Sequence, residues 1–306
     1  MTMAISLPSR PQPPVRPSAV TDICDGRIFA VSGYVPAARP ATWILSGLEG
    51  HLAVSCYVLI DGGHAMIIDT GLAAHRDEVG RSISWLLADC RRRELIMTRR
   101  EPDAIINLPF LVKEVELDAV FCGGVLNPLD FFERVDQKSL ESHVSAIAHA
   151  SVEWAKPGSA LPIGALSLEI LRTTVVVLPK THLYEQRTGT LFGSDTWGFL
   201  SQLGTSSLDI VTAWDERLSR GSIARYLRHK FDWLCGIDTS VIEADLALLK
   251  QYDIRRICST YGGVIEGALL ASRVIDETIE AVQLLSREPI VDRLKGFDRT
   301  IFEAAL

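Results

Sequence analysis

Several things are scarce or missing in this sequence of 306 residues. No apolar run approaches the ~18 residues needed to span a bilayer. The first twenty residues, MTMAISLPSRPQPPVRPSAV, hold no continuous apolar stretch of the kind a secretory leader carries. The expectation is therefore a cytoplasmic protein with no membrane contact. The six cysteines (Cys24, Cys56, Cys90, Cys122, Cys235 and Cys258) form no CxxC pair. That removes the short-spaced zinc and redox motifs and leaves buried thiols. Positive charge is in deficit, with 31 Lys+Arg against 38 Asp+Glu and a net charge of −7. A general nucleic-acid binder needs clustered positive charge, so that class is excluded. Walker loops, GxSxG elbows and HHE-like ligand clusters are missing as well, and their chemistries have no support.

What is present is an ordinary globular balance, 47 % hydrophobic and 23 % charged, which rules out a disordered chain. Residues 1–22 are rich in Pro, Arg and Ser and read as a flexible, extended arm. Residues 23–306 read as a single domain, because no Pro/Gly/Ser linker divides them. HLAVSCYVLI and HAMIID predict two apolar strands joined by a tight Asp-Gly-Gly turn. GLAAHRDEVGRSISWLLADC has apolar residues at helical spacing. ELIMT is a short strand, DAIINLPFLVKEV a helix with a kink or break at Pro109, and LDAVFCGG another strand. NPLDFFERV reads as a loop with a short helix, and SLESHVSAIAHA as helical. The stretch from Ser151 to Asp195 is β-rich, with turns at Pro157-Gly158 and Thr188-Gly189. From Leu208 helices dominate, ending in a long one over VIEGALLASRVIDETIEAVQLLS. Two similar halves of this kind predict two sheets packed face to face with helices outside.

Chemistry in layered α/β proteins sits on loops at strand ends. Four such ends stand out: Asp69 in IIDTG; Thr98-Arg99-Arg100-Glu101-Pro102-Asp103-Ala104; Leu191-Phe192-Gly193-Ser194-Asp195; and Ser259-Thr260-Tyr261-Gly262. Each has an ordinary explanation. Glu101 and Asp103 suit a helix N-terminus beside Pro102. Asp195 suits a turn cap, and Tyr261 a core aromatic. Trp197 and Phe199 suit either a cleft mouth or the core.

In this order the segments resemble the metallo-β-lactamase fold, in particular the β-lactamase-like domain of flavodiiron (oxygen-binding diiron) proteins. That domain carries H-x-E-x-D-H after a strand, a further His, a strand ending in Asp, and S-H-G. The resemblance covers roughly residues 26–290 and implies an αββα four-layer sandwich. It places the start of a flavodoxin domain beyond this chain, so no FMN domain is expected. It also implies a head-to-tail dimer built around that partner domain. Without the domain, a homodimer remains an expectation.

Position by position, Glu101, Asp103 and Asp195 keep the family's carboxylates. Arg99, Ala104 and Tyr261 stand where histidines would be, and the fourth histidine falls near Thr174-Val175-Val176. Borderline metals rely on imidazole. Carboxylates alone favour harder ions, and Arg99 would repel any cation or replace it in carboxylate pairs. The expectation is no cofactor. If a metal binds, Glu101, Asp103 and Asp195 are its ligands, and iron, zinc or manganese is the alternative. Three functions follow. The leading one is a small-molecule enzyme using an Arg99/Glu101/Asp103/Asp195/Tyr261 cleft. The second is a metal-dependent hydrolase or diiron oxidoreductase with substituted ligands, reached by His182, His143 or His149. The third is a non-catalytic ligand- or partner-binding protein.

Overall fold

The central strands are apolar at nearly every position because both of their faces are buried, as expected when helices cover a sheet that also packs on another sheet. A computed structural model describes residues 16–36, 50–123, 150–200 and 208–288. The first sheet runs in chain order: β1 (Val20–Cys24), β2 (Ile28–Pro36), β3 (His51–Asp61), β4 (His64–Ile68), β5 (Arg92–Met97), β6 (Ala119–Cys122) and β7 (Ser151–Trp154). The second has the order β12 (Ile210–Val211), β14 (Val264–Glu266), β13 (Arg256–Cys258), β11 (Thr190–Phe192), β10 (Thr181–Glu185), β9 (Leu166–Arg172), β8 (Ala160–Ile163). The helices are α1 (Arg76–Leu86), α2 (Pro102–Ile105), α3 (Leu108–Val115), α4 (Arg220–Lys230), α5 (Ser240–Leu248) and α6 (Ala268–Ser286).

Alternation along each strand assigns its side chains to two cores. On β3 and β4, Tyr57, Leu59, Met66 and Ile68 face Leu168, Ile170, Leu183 and Phe192 of the second sheet. Their neighbours Cys56, Val58, Ala65 and Ile67 pack under α1 and α3 with Ile83 and Leu111. On the far side, Leu191 and Ile257 pack under α4 to α6 with Leu227, Leu246 and Val274. The result is helix, sheet, sheet, helix, as the sequence predicts.

Three expectations need correction. The arm does not extend to residue 22, because Val20–Cys24 pairs with β2. The helix expected over 103–115 breaks at Asn107, before Pro109. The Asn107 side chain donates to the carbonyls of Thr70, Gly71 and Leu72 (2.9–3.1 Å). Pro109 then lies in the first turn of α3, where a missing N–H has no partner to lose. The last helix begins at Ala268, because Val264–Glu266 pairs with β13. NPLDFFERV and residues 139–149, with His143 and His149, lie outside the described residues.

Candidate functional site

Strands β4 and β5 are parallel neighbours, as are β11 and β13. The C-terminal ends of each pair therefore leave the sheet at the same edge. Backbone bonds join the two edges: Ser55 N–H to the Thr260 carbonyl, Gly262 N–H to that of Ala53, and Thr181 N–H to that of Thr98, at 2.8–2.9 Å. Asp69, Arg99, Glu101, Asp103, Asp195 and Tyr261 are thereby brought together, as the sequence reading expects.

Arg99 is the centre of the group. Its side chain is 1 % exposed. Nη1 donates to Asp69 Oδ2 (3.2 Å), Ser194 Oγ (3.0 Å) and Thr260 Oγ1 (3.0 Å). Nη2 pairs with Asp103 Oδ2, which also accepts from the Tyr261 hydroxyl. Nε faces Glu101 and Asp195 carboxylate oxygens, each at 3.7 Å. Asp69 accepts from the Thr98 N–H (2.7 Å) and hydroxyl (2.8 Å) as well.

Two further cations enter that the sequence reading missed. Lys180, just before β10, donates to Asp195 Oδ1 (2.8 Å) and Thr196 Oγ1 (3.0 Å). Lys230, in the last turn of α4, pairs with Glu101 and lies 3.2 Å from Asp195 Oδ2. In sequence, Lys230 is indistinguishable from a base that complements a helix dipole. Lys180 carries no local signal either; only the structure shows that the strand it precedes is buried throughout. Lys180, rather than any side chain of Thr174-Val175-Val176, is what meets Asp195. Val175 is in the outer core, and Thr174 donates to Asp245.

Three cations thus face four carboxylates. Burial pushes the Asp69 carboxyl up to about 6, although Arg99 and Thr98 pull it down. Burial works the same way on Asp195, but Lys180, Arg99 and Lys230 outweigh it and hold its carboxyl below the ordinary range. Burial lowers the Lys180 ammonium, while Asp195 draws it back. Burial and then Asp103 push the Tyr261 hydroxyl far up, so it stays protonated near neutrality. Trp197 and Phe199 are buried core residues rather than a cleft mouth; the Trp197 indole donates to Thr278 on α6 at 2.9 Å.

This donor set does not fit a dinuclear iron or zinc centre. The three matched carboxylates each hold an ammonium or guanidinium group. His182 spends Nε2 on Thr196 Oγ1 (2.8 Å), and burial holds its imidazole down to about 3. Among the described residues, no three His, Cys, Asp or Glu side chains are grouped to hold a metal ion.

No protein-family model matches the sequence, and no curated protein matches it. Solved structures do. Rubredoxin oxygen:oxidoreductase from Desulfovibrio gigas superposes with a TM-score of 0.60 at 17 % identity, over 86 % of this chain and 61 % of that one. The metal-soaked Flv1 flavodiiron core from Synechocystis gives 0.64 at 15 %, over 86 % and 60 %. A fragment of diflavin flavoprotein A 5 from Nostoc gives 0.61 at 16 %, over 87 % and 96 %. The fold is the metallo-β-lactamase fold of flavodiiron proteins. At these identities the likeness carries the fold alone. The chain spans about three fifths of the length of the first two proteins. On this metallo-β-lactamase fold, the edge where both sheets end holds the network of Arg99, Lys180 and Lys230. Among the described residues, no helix is long and apolar enough to cross a membrane.

Proposed function

We propose that this chain is a non-catalytic binding protein on a metallo-β-lactamase scaffold, and that its strand-end cluster is structural. One observation carries the reading: the Arg99 guanidinium is buried and divided among oxygens of the protein's own Asp69, Asp103, Ser194 and Thr260. An enzyme working through this cluster would need Arg99 open to an anionic substrate and an acid or base free to move a proton. Here both terminal guanidinium nitrogens are spent on internal oxygens. Asp103 is held by Arg99 and Tyr261, and Tyr261 keeps its proton. Glu101 reaches solvent more than the others, with 17 % of its side chain exposed, yet Lys230 holds it.

A buried network of this kind specifies geometry more than it adds net stability. It fixes the ends of four strands through bonds from Arg99 to Asp69, Ser194 and Thr260. The test is turnover. The purified chain is assayed with a β-lactam, a thioester and a phosphodiester, and for NADH-linked oxygen consumption, beside Arg99→Met and Asp103→Asn. The expected result is no turnover above heat-inactivated protein in any sample. Turnover by the native chain that is lost in a folded Arg99→Met variant overturns the reading.

A further inference from the structure

We infer that Arg99, Lys180 and Lys230 permanently occupy the place that a metal pair takes in flavodiiron proteins, with Arg99 and Lys230 linking residues of the two sheets. The inference deepens the proposal above and rests on its structural reading of the cluster. The three cations come from three separate elements: the end of β5, the start of β10 and the last turn of α4. Each is paired with a carboxylate that the sequence matches to a ligand position. Arg99 holds Asp103, Lys180 holds Asp195, and Lys230 holds Glu101 and Asp195. All three are nearly closed to solvent, with side chains 1 %, 2 % and 7 % exposed.

The surroundings favour these cations over a metal ion. The Phe231 ring lies 4.9 Å from the Lys180 ammonium, and the Tyr261 ring 5.5 Å from that of Lys230 and 5.6 Å from the Arg99 guanidinium. Ring faces attract ammonium and guanidinium groups and offer no lone pair to a metal. A divalent ion bonded to Glu101 and Asp195 oxygens at about 2.1 Å would sit against Lys230 and Arg99. Like charges so close, out of water, repel strongly. Arginine has no accessible neutral form in which to relieve this. Lys230 differs from the other two in its position: it reaches in from a helix and meets the most exposed carboxylate of the group, so it is the cation most easily removed.

The experiment uses the whole chain, expressed with added iron, zinc and manganese and purified without chelator. Metal content is measured by ICP-MS, and melting is followed with and without EDTA. We expect far less than one metal per chain and a Tm moved by less than about 1 °C, the scale of a negligible binding term. In Lys230→Met, the uncovered Glu101 and Asp195 should lower Tm by roughly 5–10 °C. Added Mn²⁺ should recover none of that loss, because Arg99 and Lys180 still stand against the two carboxylates. Lys230→Arg, which keeps the charge, should melt near the native chain. About two metals per chain, or a Tm that falls on chelation, overturns the inference. A Lys230→Met melt equal to the native one also overturns it, as does a Tm of that variant fully restored by Mn²⁺. Should Lys230→Met fail to fold, the native measurements decide. Metal-free turnover, by contrast, would overturn the binding proposal and leave this one standing.

Discussion

Removing Arg99 leaves Asp69 and Asp103 buried with their strongest partner gone. Losing one side of a buried pair costs about 3–5 kcal/mol, so Arg99→Met should lose that much in urea unfolding. Arg99→Lys should recover only part of it, because an ammonium cannot reproduce the planar fork that reaches oxygens on several elements. A second prediction concerns pH. The carboxyl of Asp69 is raised from 3.8 to about 6 on folding, so its contribution is fully present below 3.8 and is lost as pH rises through 6. His182 is lowered from 6.5 to about 3, so its contribution is present above 6.5 and falls as pH drops toward 3. Between pH 4 and 6 the two slopes oppose each other at one proton apiece, and their sum is near zero. Asp69→Asn should expose the His182 slope, with stability rising about 1.4 kcal/mol per pH unit. His182→Gln should reverse it. Equal, flat profiles in both variants would refute the assignment. Glu101, Asp103, Asp195 and Tyr261 were legible in sequence because each lies beside a strand-end motif. Lys180 and Lys230 were not, since nothing local marks a lysine that reaches its partners across the fold.

At the scale of elements, the turn after β13 has least freedom. Gly262 sits at φ +87°, and a Cβ there would lie 2.5 Å from the Phe199 carbonyl oxygen. Gly262→Ala meets both a left-handed backbone and a backbone clash. It should cost more than about 1 kcal/mol by denaturant midpoint, beyond the usual gain from replacing a glycine. A neutral or stabilising result would mean that the turn relaxes freely, and with it the position of Tyr261. Strands were legible where apolar runs are continuous, as in β3 and β4, and helices where apolar residues recur at helical spacing, as in α1. The break at Asn107 was not, because it depends on carbonyls of residues 70–72, more than thirty positions away. Proline is visible in any sequence, whereas the demand of a distant loop for a donor is not.

For the molecule as a whole, the network and the surface ion pairs should respond differently to salt. Exposed pairs such as Arg220–Glu280 and Lys250–Asp276 contribute little and are screened. The buried pairs are not reached by counter-ions. Raising NaCl from 0.05 to 1 M should therefore move Tm by no more than a few degrees, by the magnitude of exposed pairs. A large fall would mean that the Arg99 network opens to water. The order of β-rich and αβ segments made the four-layer fold readable. The closure of its edge was not readable, because it depends on how two sheets and a helix meet.

The network also spans the chain, from Asp69 in the first sheet to Tyr261 in the second. Its charges can be desolvated together only after both halves have folded and docked. Contacts made that late are absent from the transition state, so they act on the rate of unfolding rather than of folding. Arg99 and its partners should set how long the folded chain survives, while the apolar strands set how quickly it forms.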